Sequence, residues 1–319
     1  MKSNKQQNRF PFAHTYSIVA RDVVTGQMGV AVQSHYFSVG SIVGYGEAGV
    51  GVVASQSIAD PSYGHLGLSL MKAGKTPEEA LKALTSVDKN QDGRQVAMMD
   101  ASGRIAAHTG ERCIDFAGHE LVEGEGFSVQ ANMMENASVW GAMGAAYRKA
   151  DGDLADRMMA ALQAAQDAGG DVRGKQSAAM LIVAGESTGR PWIGADIVLD
   201  LRVEDHAEPI LELKRLISMY KAYDLMNKGD EALLSGQTDE AMRLYQTAAD
   251  MIPDQIELPF WKAVTLADIG KLDEALPIFR EIFSKNIEWA KLIERLPKSG
   301  LLNDDPELIK AILEECPES

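Results

Sequence analysis

Past about Lys221 the sequence reads as almost pure helix, whereas from Thr15 to about Leu201 short β-branched runs alternate with amphipathic segments. These are two different packing problems. A sheet buries alternate residues and a helical array buries stripes with a helical period, so a chain that changes period for good changes domain. The 319 residues supply length for two cores. The expected organisation is an N-terminal extension over 1–14, a mixed domain over 15–215 and a helical domain over 216–319.

In the mixed half, Thr15–Arg21 (TYSIVAR) and Met28–Gln33 flank the turn Asp22–Gly26 as a hairpin, and Ser38–Tyr45 with Gly49–Ser55 read as a second strand pair. Helices are predicted over Tyr63–Ala73 and Pro77–Leu84, the latter capped by Thr76. Strands return at Arg94–Met99, Arg104–His108 and Gly126–Asn132. Two more helices, Ala137–Tyr147 and Leu154–Ala168, precede strands at Ala178–Val183 and Asp196–Val203. Strand pairs and helix pairs in this order do not make the regular βαβ alternation of a parallel sheet. They predict an α+β fold, a four-layer αββα sandwich of two antiparallel sheets between helical layers.

In the helical half, Gly236, Asp239, Glu240, Ala241 and Tyr245 recur as Gly270, Asp273, Glu274, Ala275 and Phe279, a 34-residue period. This pattern, with glycine in the turn and alanine where helices cross, resembles the tetratricopeptide repeat. Two units fall short of a self-sufficient stack, so capping is expected from Glu288–Leu296 and Pro306–Glu314 or from the first domain. Trp289–Leu302 (WAKLIERLPKSGLL) resembles a peptidoglycan-binding module, which opens a cell-wall association as one role for this half.

Charge narrows the partners. The formal net charge of −15, with no basic run, argues against nucleic acid. No apolar stretch reaches membrane-spanning length and no secretory leader is visible, so the expected location is cytoplasmic, with no membrane association. Cys113 and Cys316 stand alone without CxxC or Cys/His spacing, which predicts neither disulfide nor metal, and no cofactor motif is present. Asp88, Asn90, Asp92 and Gly93 imitate half a calcium loop, but Met99 stands where the bidentate Glu belongs, so a solvated turn is expected. Acidic charge and helical repeats are compatible with a protein partner at the repeats or with a homo-oligomer.

Several hydroxyl and amide residues could carry chemistry. Thr15 begins a strand; a threonine with a free α-amine can attack a carbonyl through Oγ while that amine takes the proton. Ser17 shares its strand face and is a second hydroxyl candidate. Gln33, Ser34 and His35 close the next strand, where they could orient a nucleophile or bind a substrate amide. Gln130 and Asn132 share parity, and Asn132 is the preferred oxyanion donor, with a turn-capping role the competing reading. Asp171 and Arg173 read as a structural ion pair or as a clamp for a carboxylated substrate. Cys113 with His108 would make a thiol nucleophile and base, against the commoner inert cysteine.

The ordered blocks TYSIVARDVVTGQMGVAVQSHYFSVGS, GEAGVGVVASQS, AAHTGERC, GFSVQANMM and GGDVRGKQSAAMLIV resemble domain-of-unknown-function family 1028, from Thr15 to about Arg215. That family is grouped with the N-terminal nucleophile hydrolases. The resemblance therefore implies the αββα sandwich and hydrolysis of an amide in a small molecule or peptide, with Thr15 as nucleophile. In many relatives the matching threonine directly follows the initiator Met. Here fourteen residues precede it, which leaves three alternatives: a misassigned start, self-cleavage at His14–Thr15, or a Thr15 that is no nucleophile. The rival to a hydrolase is a non-catalytic scaffold that works through its helical repeats.

Overall fold

The computed structural model describes residues 12–190 and 194–317. Residues 1–11 of the extension lie outside them. The chain divides into two compact units, Met1–Leu216 and Ile217–Ser319.

The first unit contains two antiparallel sheets. One has the order β1 (Phe12–Ala13), β5 (Gly51–Ile58), β6 (Arg94–Asp100), β7 (Ile105–Thr109), with β4 (Gly44–Glu47) also on β5. The other runs β11 (Ile197–Val203), β10 (Ser177–Val183), β3 (Met28–Ser34), β2 (Thr15–Arg21), β9 (Phe127–Ala131), β8 (Gly118–Val122). Strand parity decides which residues meet. Val19, Val30 and Val32 of the second sheet share one buried cluster with Val52, Ala54, Ala97 and Met99 of the first.

The opposite faces receive helices. Tyr63 and Leu68 of α1 (Ser62–Lys72) and Leu81 of α2 (Pro77–Val87) cluster with Val53, Val96 and Met98. A capping box formed by Thr76 and Glu79, with Pro77 in the first turn, starts α2 where the sequence predicts it. Helices α3 (Val139–Lys149) and α4 (Leu154–Asp167) lie on the second sheet, α4 against β2 and β3. Asp153 caps α4 with the same reciprocal geometry.

Two sequence readings change. Ser38–Tyr45 is not one strand: Val39–Ser41 forms a 3-10 turn and only Gly44–Glu47 is extended. Ser38 takes a left-handed φ of 57°, and a Cβ on Gly40 would lie 2.5 Å from the Ala179 Cβ, so the chain bends tightly against β10. The strand Gly118–Val122 was not predicted; its mixed polar text gives no clean alternation.

In the second unit the helical character expected from the sequence is present, and it begins earlier than expected, in α5 (Pro209–Leu234). Then follow α6 (Thr238–Met251), α7 (Glu257–Asp268), α8 (Leu272–Lys285), α9 (Ala290–Ile293), α10 (Leu296–Ser299) and α11 (Pro306–Leu313). Gly236 and Gly270 hold left-handed conformations in the turns before α6 and α8, and the matched pairs Ala241/Ala275 and Tyr245/Phe279 are buried. Among the described residues no helix is long and apolar enough to cross a membrane.

Candidate active site

Thr15 is wholly buried at the start of β2, in register with Ser34 on β3, so both side chains enter the space between the sheets. Here the core turns polar. Thr15 Oγ1 donates to the Ala13 carbonyl (2.7 Å). The His14 carbonyl, one bond before Thr15, accepts from Ser34 Oγ (2.6 Å) and from Arg173 Nη2 (2.8 Å). The Thr15 carbonyl accepts from the Asn132 amide N–H (3.1 Å), Asn132 Nδ2 (3.3 Å) and Gln56 Nε2 (3.2 Å).

Behind these contacts lies a fully buried amide network. Gln56 Nε2 and Asn132 Nδ2 both donate to Gln95 Oε1, at 2.7 and 2.9 Å. Gln95 Nε2 donates to the Ala131 and Gly118 carbonyls and to Thr109 Oγ1. Ser17 donates to Gln56 Oε1 (2.6 Å) and accepts from Gln130 Nε2 (2.7 Å), while Ser128 donates to Gln130 Oε1. Because the amide nitrogens of Gln56, Gln95 and Asn132 each face a carbonyl-type oxygen, and Ser17 gives its proton to Gln56 and so accepts from Gln130, the network fixes which end of every amide donates. Asn132 Oδ1 is left to accept from His14 Nδ1 (2.9 Å). Burial lowers the His14 pKa and Arg173 lowers it further, against the opposing pull of Asn132, so the imidazole is neutral at pH 7.

Arg173 is held by a buried carboxylate. Asp171, whose side chain has no exposure, takes the guanidinium through both oxygens, at 2.7 and 3.0 Å, and also accepts the His35 amide (3.2 Å). Strain gathers beside this centre. Ser57, paired with Ala13, and Met133, next after Asn132, are two non-glycine residues with left-handed φ, 69° and 59°.

Of the sequence candidates, Thr15, Ser17, Ser34, Gln130, Asn132 and Arg173 come together. Gln33 does not: it pairs with Tyr16 on the opposite face of the sheet, the face that turns Tyr16 toward Gln166 of α4. His35 is exposed and reaches Asp171 only through its backbone. Asn132 spends its amide nitrogen on the Thr15 carbonyl and Gln95, so Ser34 and Arg173, not Asn132, hold the carbonyl before Thr15. The pair Cys113 and His108 is not assembled. The thiol donates to the Arg94 carbonyl and burial raises its pKa, while the His108 ring meets the Gln91 carbonyl. Asp88 of the calcium-like turn binds Arg94 instead. Sequence reading missed Gln56 and Gln95. Their signal is an amide at an inward position of an otherwise apolar strand.

The family of unknown function DUF1028 matches residues 15–213. The chain belongs to the DUF1028 family. The DUF1028 match begins at Thr15 itself and ends within α5, so it covers nearly all of the two-sheet unit and none of the helical one. The crystal structure of protein SPO2555 from Silicibacter pomeroyi, a DUF1028 protein, is similar: 33% identical, with a TM-score of 0.57, over 64% of this chain and 88% of that one. No curated protein matches the chain.

Proposed function

We propose that this DUF1028 protein is an amide-bond hydrolase whose nucleophile is Thr15, and that the chain first cuts its own His14–Thr15 bond. The observation that carries the reading is the carbonyl of His14. It is buried next to the Thr15 hydroxyl and receives two hydrogen bonds, one of them from a guanidinium. Donors aimed at a carbonyl oxygen stabilise the negative charge that develops there during attack, most strongly where water is excluded. An ordinary strand start has no need of them.

In self-cleavage, Thr15 Oγ bonds to the His14 carbonyl carbon, the C–N bond breaks, and the hydroxyl proton ends on the Thr15 nitrogen. Water then hydrolyses the ester, releasing the leader as a carboxylate and restoring the hydroxyl. The freed α-amine is now a base of near-neutral pKa beside its own hydroxyl. It takes the hydroxyl proton as Oγ attacks a substrate amide and passes it to the departing amine; hydrolysis of the ester completes the cycle. Ser34 and Arg173 serve the oxyanion in both reactions, and Asn132, Gln56 and Gln95 position Thr15.

The architecture supports the same reading at the level of fold. Sheets packed face to face, with α1 and α2 outside one and α3 and α4 outside the other, suit a four-layer αββα sandwich of the N-terminal nucleophile type. The glycine turns and buried alanines of α6 and α8 suit tetratricopeptide-like repeats, a surface for a protein partner. Intact-mass measurement tests the central claim. A species beginning at Thr15 is expected from the wild type and none from Thr15→Ala, while Ser34→Ala should slow its release by about a hundredfold or more, the usual loss with one oxyanion donor. Full-length wild type that never yields this species, or a Thr15→Ala chain that still does, refutes it.

A further inference from the structure

The segment just before Thr15 lies in a slot built for an extended chain. Strand β4 pairs with β5 along Gly51–Ala54, and β1 continues on the same strand at Ser57 and Ile58, with Ala13 opposite Ser57 and Phe12 opposite Ile58. If residues before Thr15 leave, the end of β5 becomes an open edge with unsatisfied backbone groups at the door of the site. An extended peptide can replace them by adding a strand.

Each leader position reports a different constraint. His14 is only 4% exposed, and its ring donates to Asn132 Oδ1, an oxygen whose orientation the amide network locks. A carboxylate there would meet that oxygen with like polarity, and an aliphatic group would leave it unpaired. A cation would face both burial and Arg173, the influences that lower the His14 pKa. Ala13 is fully buried within the inter-sheet core cluster, so a larger side chain has no room. Phe12 is 60% exposed, so its side chain sets no comparable size limit.

Resting on the hydrolase reading above, we infer that this slot is the acyl-side substrate site, and that it takes an extended peptide-like acyl group with a neutral hydrogen-bond-donating side chain at the scissile residue and a small residue before it. The leader is then the first substrate of the centre, held as later ones are.

The test uses the full-length protein, incubated until intact mass shows the species beginning at Thr15. The probes are acetyl-peptide coumarylamides with the acyl sequences Phe-Ala-His, Phe-Ala-Gln, Phe-Ala-Leu, Phe-Ala-Asp and Phe-Leu-His. The His and Gln probes with alanine in the middle should be cleaved with kcat/KM at least about tenfold above the other three, the discrimination expected of one buried unpaired group or one overpacked side chain. Failure to form any Thr15-initiated species overturns the hydrolase reading and this inference with it. A Thr15-initiated enzyme that cleaves the Leu, Asp or Phe-Leu-His probe as well as the Phe-Ala-His probe, or cleaves none of the five, overturns the substrate assignment alone.

Discussion

Replacing Arg94 by Met removes the cation that ties the end of β5 to the helical layer above it. The Arg94 side chain is 1% exposed; Nε donates to Asp88 (2.7 Å), Nη2 reaches Asp60 (3.3 Å) and Nη1 donates to the Ile58 carbonyl (2.6 Å). Methionine fills much of the volume but takes the guanidinium away from two carboxylates and a carbonyl. Breaking a buried ion pair from one side costs about 3–5 kcal/mol. The Asp88 and Asp60 side chains keep 14% and 16% exposure and recover some hydration, which sets the expectation at the low end, about 3 kcal/mol. For a unit of about 200 residues this is a fall in Tm of about 6–12 °C. Burial alone would raise the Asp88 pKa, but hydrogen bonds from Arg94 and the Asn90 amide outweigh it and hold it below 3.8. A carboxyl depressed in the fold stabilises at pH values above its unfolded pKa and loses that contribution as pH falls through the folded value. The difference between wild type and Arg94→Met should therefore be full at pH 7 and shrink below about pH 3.8. Thermal denaturation followed by circular dichroism across this range reads both effects. A Tm within about 2 °C of wild type at pH 7, or a gap that stays constant into acid, would show that Arg94 is not the tie described.

Two further outcomes follow from single positions. A Cβ at Gly229 would stand 2.3 Å from the Tyr245 ring, whose hydroxyl is held by Asp230, so Gly229→Ala should destabilise the helical unit by about 1–3 kcal/mol in urea titration and leave release at Thr15 unchanged. The uncut Thr15→Ala chain keeps His14 buried with a pKa below 6.5; the unfolded chain then binds more protons, and stability should drop as pH falls from 6.5 toward the folded value, a slope that His14→Gln removes.

Much of this architecture is legible because alternation along a strand is a direct record of two environments. TYSIVAR and MGVAVQS place Thr15, Ser17 and Val19 on one face and Tyr16, Ile18 and Ala20 on the other, and the pairing of β2 with β3 keeps that division. The Ser38–Tyr45 region defeats such reading, because its β-branched residues hide a bend imposed by close contact with β10. The start of α5 is illegible for another reason: Pro209 is tolerated in a first turn, so it opens the helix where a breaker would be read. The site itself is only half visible in sequence, since Gln56 and Gln95 sit in separate strands and gain meaning only once β5 and β6 bring them into register.

That register reveals a gradient. On β5 the inward positions run Val52, Ala54, Gln56; on β6 they run Met99, Ala97, Gln95; on β2, Val19, Ser17, Thr15; on β3, Val30, Val32, Ser34. On these four strands the inward face turns from apolar to polar toward the same end of the two sheets, and β9 adds Gln130 beside Ser17 there, with Asn132 just beyond it. Apolar side chains could close that end with less desolvation, because a buried amide is tolerated only when every group is paired. A fold that seals its end with interlocked amides holds one threonine and the carbonyl before it in fixed positions. Such fixity has little use in a spacer, and it is what an attacking hydroxyl requires.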